Sequence, residues 1–112
     1  MMNKLMMTLL LATLTSAGAM AAEQVTYKYP TKQDAVNGQS SYIFLTQDNG
    51  AQFCKEARNN INDRMVSAEM LCGEDESAYL DFNRSSLQWR LKMTGSKNQC
   101  YPLYKEITCS QQ

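Results

Sequence analysis

Leu87-Gln88-Trp89-Arg90-Leu91-Lys92-Met93 alternates apolar and polar residues without a break, the pattern of a strand with one buried and one solvated face. Upstream, Ala78-Tyr79-Leu80-Asp81-Phe82-Asn83 alternates in the same sense. Together they read as a hairpin, strands 78–83 and 86–93, turning at Asn83-Arg84-Ser85-Ser86 and carrying the chain's one tryptophan. Matching the apolar faces sets Phe82 opposite Leu87, Leu80 opposite Trp89 and Ala78 opposite Leu91. Tyr79, Asp81, Gln88, Arg90 and Lys92 then share the wet face. Trp89, in phase with Leu87, Leu91 and Met93, reads as core rather than as a ligand-stacking ring. On this reading Arg90→Ala affects binding more than stability, and Trp89→Ala the reverse.

Outward from the hairpin, Val66, Ala68, Met70 and Cys72 alternate with Ser67 and Glu69, predicting a strand over 65–72. A last strand over 103–109 has Leu103, Ile107 and Cys109 in phase. These four strands are expected to form an antiparallel meander in chain order. Asn49 through Asp63 reads as a single helix. Asn49 is placed at its N-cap with Gln52 reaching back as in a capping box, and Phe53, Ala57 and Ile61 form its buried stripe. The run Tyr42-Ile43-Phe44-Leu45 predicts a strand over 41–46, apolar on both faces and so interior or covered by the helix. A further strand over 25–29 ends at Pro30. The fold class is α+β, one helix on an antiparallel sheet with one or two N-terminal strands. Thr31 to Gln39 is polar, with Asn37-Gly38 as a turn signal.

The first 21 residues read as an export address. Lys4 supplies a positive start, Leu5 to Leu14 an apolar run, and Ala19-Met20-Ala21 the small residues that a signal peptidase recognises. Cleavage there leaves residues 22–112 as one globular domain, exported to a bacterial periplasm or secreted, with no membrane insertion afterwards. Lys4 is the only charge removed, so the balanced chain becomes −1. Such a charge provides no attraction for nucleic acid. All four cysteines, Cys54, Cys72, Cys100 and Cys109, lie in the exported part, and an even count in an oxidising compartment reads as two disulfides. Helix and strand lengths favour Cys54–Cys72 with Cys100–Cys109, whereas a last strand running straight from Cys100 would favour a crossed pairing.

The chain has no histidine, which removes the commonest general base, the Ser-His and Cys-His nucleophile pairs and the usual zinc ligand. There is no Cys-x-x-Cys spacing and no glycine-rich phosphate loop, so neither cofactor nor metal is implied. Glu74-Asp75-Glu76 reads as a solvated turn, since three consecutive acids cannot all reach one ion. Asn83-Arg84-Ser85 matches a glycosylation acceptor but reads here as turn chemistry. The six tyrosines, among them Tyr79, Tyr101 and Tyr104, are the feature most suggestive of binding, because tyrosine gives large contact area at small entropic cost.

These residues imply a small exported module of the inhibitor or immunity type that binds another protein by surface contact, through Tyr79, Asp81, Gln88, Arg90, Lys92, Tyr101 and Tyr104. Two alternatives stand beside it. One is a carboxylate-dependent hydrolase using Asp81 with one of Glu74 to Glu76, and the other a structural or stress component of the envelope.

Overall fold

The structure is a computed structural model that describes residues 23–74, 76–95 and 99–111. The expected export segment, residues 1–21, lies outside the described residues, as does Asp75 of the expected acidic turn. Strands β1 (Gln24–Lys28), β2 (Thr31–Gln33) and β3 (Ser40–Tyr42) precede the helix α1 (Gln47–Ala57). Strands β4 (Asp63–Cys72), β5 (Ala78–Asn83), β6 (Gln88–Met93) and β7 (Pro102–Gln111) follow it. The class is α+β, with one helix and antiparallel strand pairs among the described residues.

The four C-terminal strands follow one another as expected, but their hydrogen-bonded partners are nested rather than sequential. β5 pairs with β6, and β4 pairs with β7, which also takes β1 on its other edge. Ile43 to Leu45 join the two groups. Phe44 N donates to Leu80 O at 2.9 Å on the hairpin side, while Leu45 N donates to Pro102 O at 2.8 Å and Ile43 O accepts from Tyr104 N at 3.0 Å on the other. Ile43 is completely buried. The apolar run is therefore interior, as its two-faced hydrophobicity predicts, although its regular strand ends at Tyr42 and only isolated bridges continue to Phe44.

The helix begins and ends earlier than the expected 49–63. Thr46 is the N-cap, its Oγ1 accepting from Asn49 N at 3.1 Å. Asn49 lies inside the first turn, buried, and Gln52 donates to Glu56 instead of closing a capping box. At the other end the weak helix formers win: Asn59 takes a left-handed φ of 52°, a conformation asparagine tolerates at a helix end. Asp63 then opens β4, buried and gripped by Arg58 through Nε at 2.8 Å and Nη2 at 3.0 Å. The buried face of α1 is Asn49, Gly50, Phe53 and Cys54. Ala57 is exposed and Ile61, beyond the helix, is 75% exposed.

The hairpin register is two residues away from the expected one: Phe82 faces Trp89, Leu80 faces Leu91 and Ala78 faces Met93. A two-residue slip preserves every side-chain face, so the buried and wet sides are as read while each partner changes. The cause is Leu87, which belongs to the turn. Val66, Ala68 and Met70 are also exposed, contrary to the alternation. β4 is an edge strand of its sheet, and register shifts at Met65/Ser67 and Glu69/Met70 break its period.

The core comprises Ile43, Phe53, Leu80, Trp89, Tyr104 and Ile107 around the buried Cys54–Cys109 bridge. Trp89 packs edge-on against Phe82 with ring centroids 5.3 Å apart. Its Nε1 donates to Glu56 Oε1 at 2.9 Å, and Lys32 Nζ sits over its ring at 5.6 Å. The second bridge is Cys72–Cys100. The favoured pairing of Cys54 with Cys72 and Cys100 with Cys109 is thus replaced by a nested one. β7 runs antiparallel to β4 along its length, setting Cys72 opposite Pro102, close in sequence to Cys100, and Met65 opposite Cys109. Two disulfides suggest a non-reducing environment. No helix among the described residues is long and apolar enough to cross a membrane.

Candidate functional site

The wet face of the hairpin gathers five of the seven sequence candidates, because alternate residues of paired strands share a side. Tyr79 pairs with Lys92, Asp81 with Arg90, and Gln88 with Asn83. Tyr101 approaches the same face, its ring centroid 6.4 Å from that of Tyr79, and Tyr79 itself stacks on Phe44 at 4.5 Å. Tyr104 does not join them. It is 1% exposed, its hydroxyl donates to Thr46 O, and burial pushes its phenol pKa up. As a surface-contact residue Tyr104 is therefore corrected to a core residue that secures the start of the helix.

Most charges of this face are engaged within the protein. Arg90 Nε donates to Asp34 Oδ1 at 2.8 Å, and the Asp34 side chain is almost completely buried. Asp34 also accepts from the backbone N of Leu91 at 2.8 Å, Asn37 at 2.8 Å and Val36 at 2.9 Å. The Arg90 hydrogen bond first, and then these amides, hold its carboxyl far below the usual carboxylate range. With Ala35 N donating to Trp89 O, the turn after β2 covers the outer edge of β6 and shields it from pairing with other chains. Asp81, the hydrolase candidate, receives Lys92 Nζ at 3.0 Å and Asn49 Nδ2 at 2.8 Å. The hydrogen bond and charge of Asp81 raise the Lys92 pKa. Gln88 is exposed, and Tyr101 donates its hydroxyl to Thr94 O.

Two polar residues central to the architecture have no hydrophobic pattern to announce them. Asn49 donates from Nδ2 to Phe44 O at 2.9 Å as well as to Asp81, and its Oδ1 accepts from Phe82 N at 3.0 Å. It therefore ties the helix to the edge of β5 next to the Phe44–Leu80 hydrogen bond. Asp34 stands three residues before Asn37 in a polar stretch, and the only trace of its role is an acid preceding a turn signal.

The hairpin tip is built differently. Asn83 Oδ1 accepts from Ser85 N at 2.9 Å and Ser86 N at 3.1 Å, so the turn is held by its own side chain. Arg84 Nη1 reaches Asp48 at 3.0 Å and fastens the tip to the helix. Leu87 then adopts a left-handed φ of 57° with 74% of its surface exposed. A leucine in this conformation costs roughly 1–3 kcal/mol, and an exposed leucine recovers nothing by burial. Beside it lies a groove of about 140 Å3, walled on one side by Asp48, Ala51, Gln52 and Lys55 of α1 and on the other by Phe82, Arg84 and Leu87. The four helix positions share one face by their spacing.

Glu56 completes the polar interior. Burial pushes its carboxyl up, but hydrogen bonds from Lys32, Gln52 and Trp89 outweigh this and leave it below the ordinary value. Among the described residues no three His, Cys, Asp or Glu side chains converge in a way that could hold a metal ion. Comparison with protein-family models, curated proteins and solved structures finds no match for this chain.

Proposed function

We propose that this protein is a small exported binding module of the inhibitor or immunity type, acting by surface contact with another protein, and that the hairpin tip presents its contact surface. The observation that carries this reading is Leu87, an exposed apolar side chain in a strained backbone conformation on a turn fixed by Asn83 and by the Arg84–Asp48 ion pair. Strain of this kind concentrates where function maintains it, and a pre-ordered apolar tip loses little entropy on binding. Tyr79, Lys92, Gln88 and Tyr101 extend the surface along the hairpin. The export features of residues 1–21 and the two disulfides support a periplasmic location, with secretion as the alternative.

Capture from periplasmic extract tests the proposal. The purified, disulfide-bonded protein should retain a partner in a one-to-one complex by light scattering, and Leu87→Asp should lose it while remaining folded. Absence of a stoichiometric partner, or equal capture by both proteins, would count against the proposal.

A further inference from the structure

We infer that the groove between α1 and the hairpin tip receives an apolar side chain flanked by carboxylates, from an acidic segment of the partner protein. This inference rests on the binding-module reading above and specifies the chemistry of its partner.

Size and charge carry it. The groove volume of about 140 Å3 is close to the ~150 Å3 of an engineered protein cavity that accepts benzene, so one phenylalanine- or leucine-sized group fits. Phe82, Ala51 and the exposed Leu87 provide apolar surface to cover it. The rim is unbalanced in charge. Its one carboxylate, Asp48, is already bonded to Arg84 at 3.0 Å. Lys55 has no carboxylate partner in any ion pair among the described residues. A neutral or basic segment would leave Lys55 uncompensated, and a basic one would add repulsion. An acidic segment would supply Lys55 with a partner, and like-charge mismatch would discriminate against a basic one.

The test titrates the 15N-labelled protein with two capped peptides, Ac-Glu-Phe-Glu-NH2 and Ac-Lys-Phe-Lys-NH2, following backbone amide shifts by NMR. The acidic peptide should saturate shifts confined to residues 48–55 and 82–87. Binding should weaken as salt is raised. Lys55→Glu should weaken it about tenfold, since one attractive pair becomes a repulsive one. Lys55→Gln, which removes the charge with little change of shape, should have a smaller effect in the same direction. Equal binding of the basic peptide, shifts elsewhere on the molecule, or unchanged affinity in both Lys55 variants would overturn the inference. A captured partner lost with Leu87→Asp but kept by Lys55→Glu would overturn the acidic chemistry alone and leave the binding module standing.

Discussion

Arg90 shows how far a single side chain can depart from what its position in a strand suggests. From alternation it belongs to a wet, contact-making face, and the face is correct. What alternation cannot report is that the turn after β2 brings Asp34 over β6 to meet it. Removing Arg90 leaves the Asp34 carboxylate with its amide donors but no counter-charge. Arg90→Ala should therefore lower the thermal midpoint, whereas the sequence reading expects its effect mainly on binding; a midpoint within a degree of wild type would contradict this. Acid sensitivity follows from the same site. The Asp34 carboxyl is held well below its ordinary value of 3.8, so its contribution is complete above that pH and is lost as the pH falls toward the folded value. Glu56, also lowered, acts in the same direction. Asp34→Asn should lower stability at neutral pH and flatten the acid limb of the thermal midpoint against pH, measured by circular dichroism. Asn49→Ala would remove a donor each from Phe44 O and Asp81, which keep Thr46 N and Lys92, and leave Phe82 N without its acceptor, a loss of about 1–3 kcal/mol for that one unsatisfied group.

At the scale of elements, periodicity shows the hairpin strands and their faces. It misses the short β2 in a polar stretch and misreads the faces of β4, where register shifts break the period. It also fails where a polar side chain or a backbone conformation decides a boundary. The hairpin strands, the interior run around Ile43 and the buried Trp89 were legible because burial imposes a period. The two-residue register shift was not, because nothing in a leucine announces a left-handed φ. The helix start was misplaced for a related reason. Thr46 and Asn49 are both good caps, and only the packing of Asn49 against β5 and of Gly50 against its neighbours decides between them. A Cβ on Gly50 would collide with Met65 Sδ and lie 2.6 Å from Tyr104 Oη. Glycine to alanine inside a helix ordinarily stabilises by about 1 kcal/mol. Gly50→Ala should instead destabilise, because Tyr104 is buried and bonded to Thr46 O; chemical denaturation showing a gain in stability would refute this close packing.

Across the whole molecule, nested strand pairing and nested disulfides are the same fact seen twice. β7 lies against both β1 and β4 and offers Cys109 to the helix, while Cys72 and Cys100 close the far end of the β4–β7 pair. The Cys54–Cys109 loop spans 55 positions, and in the chain-entropy model closing it stabilises by about 4 kcal/mol. Peptide mapping of the non-reduced protein should recover these two pairs and no others. Chain lengths alone could not choose between pairings, because that choice depends on which strand lies beside which. The proposed contact surface is half legible in the sequence. The wet hairpin face was read from alternation, whereas the tip was hidden by counting Leu87 as a core residue. Separating fold from function at that residue is the most direct test of the proposal. Leu87→Gly relieves the left-handed strain and removes the apolar contact, so it should raise the thermal midpoint while abolishing partner capture. Capture at wild-type strength by a stabilised Leu87→Gly protein would contradict the assignment of the hairpin tip as the binding surface.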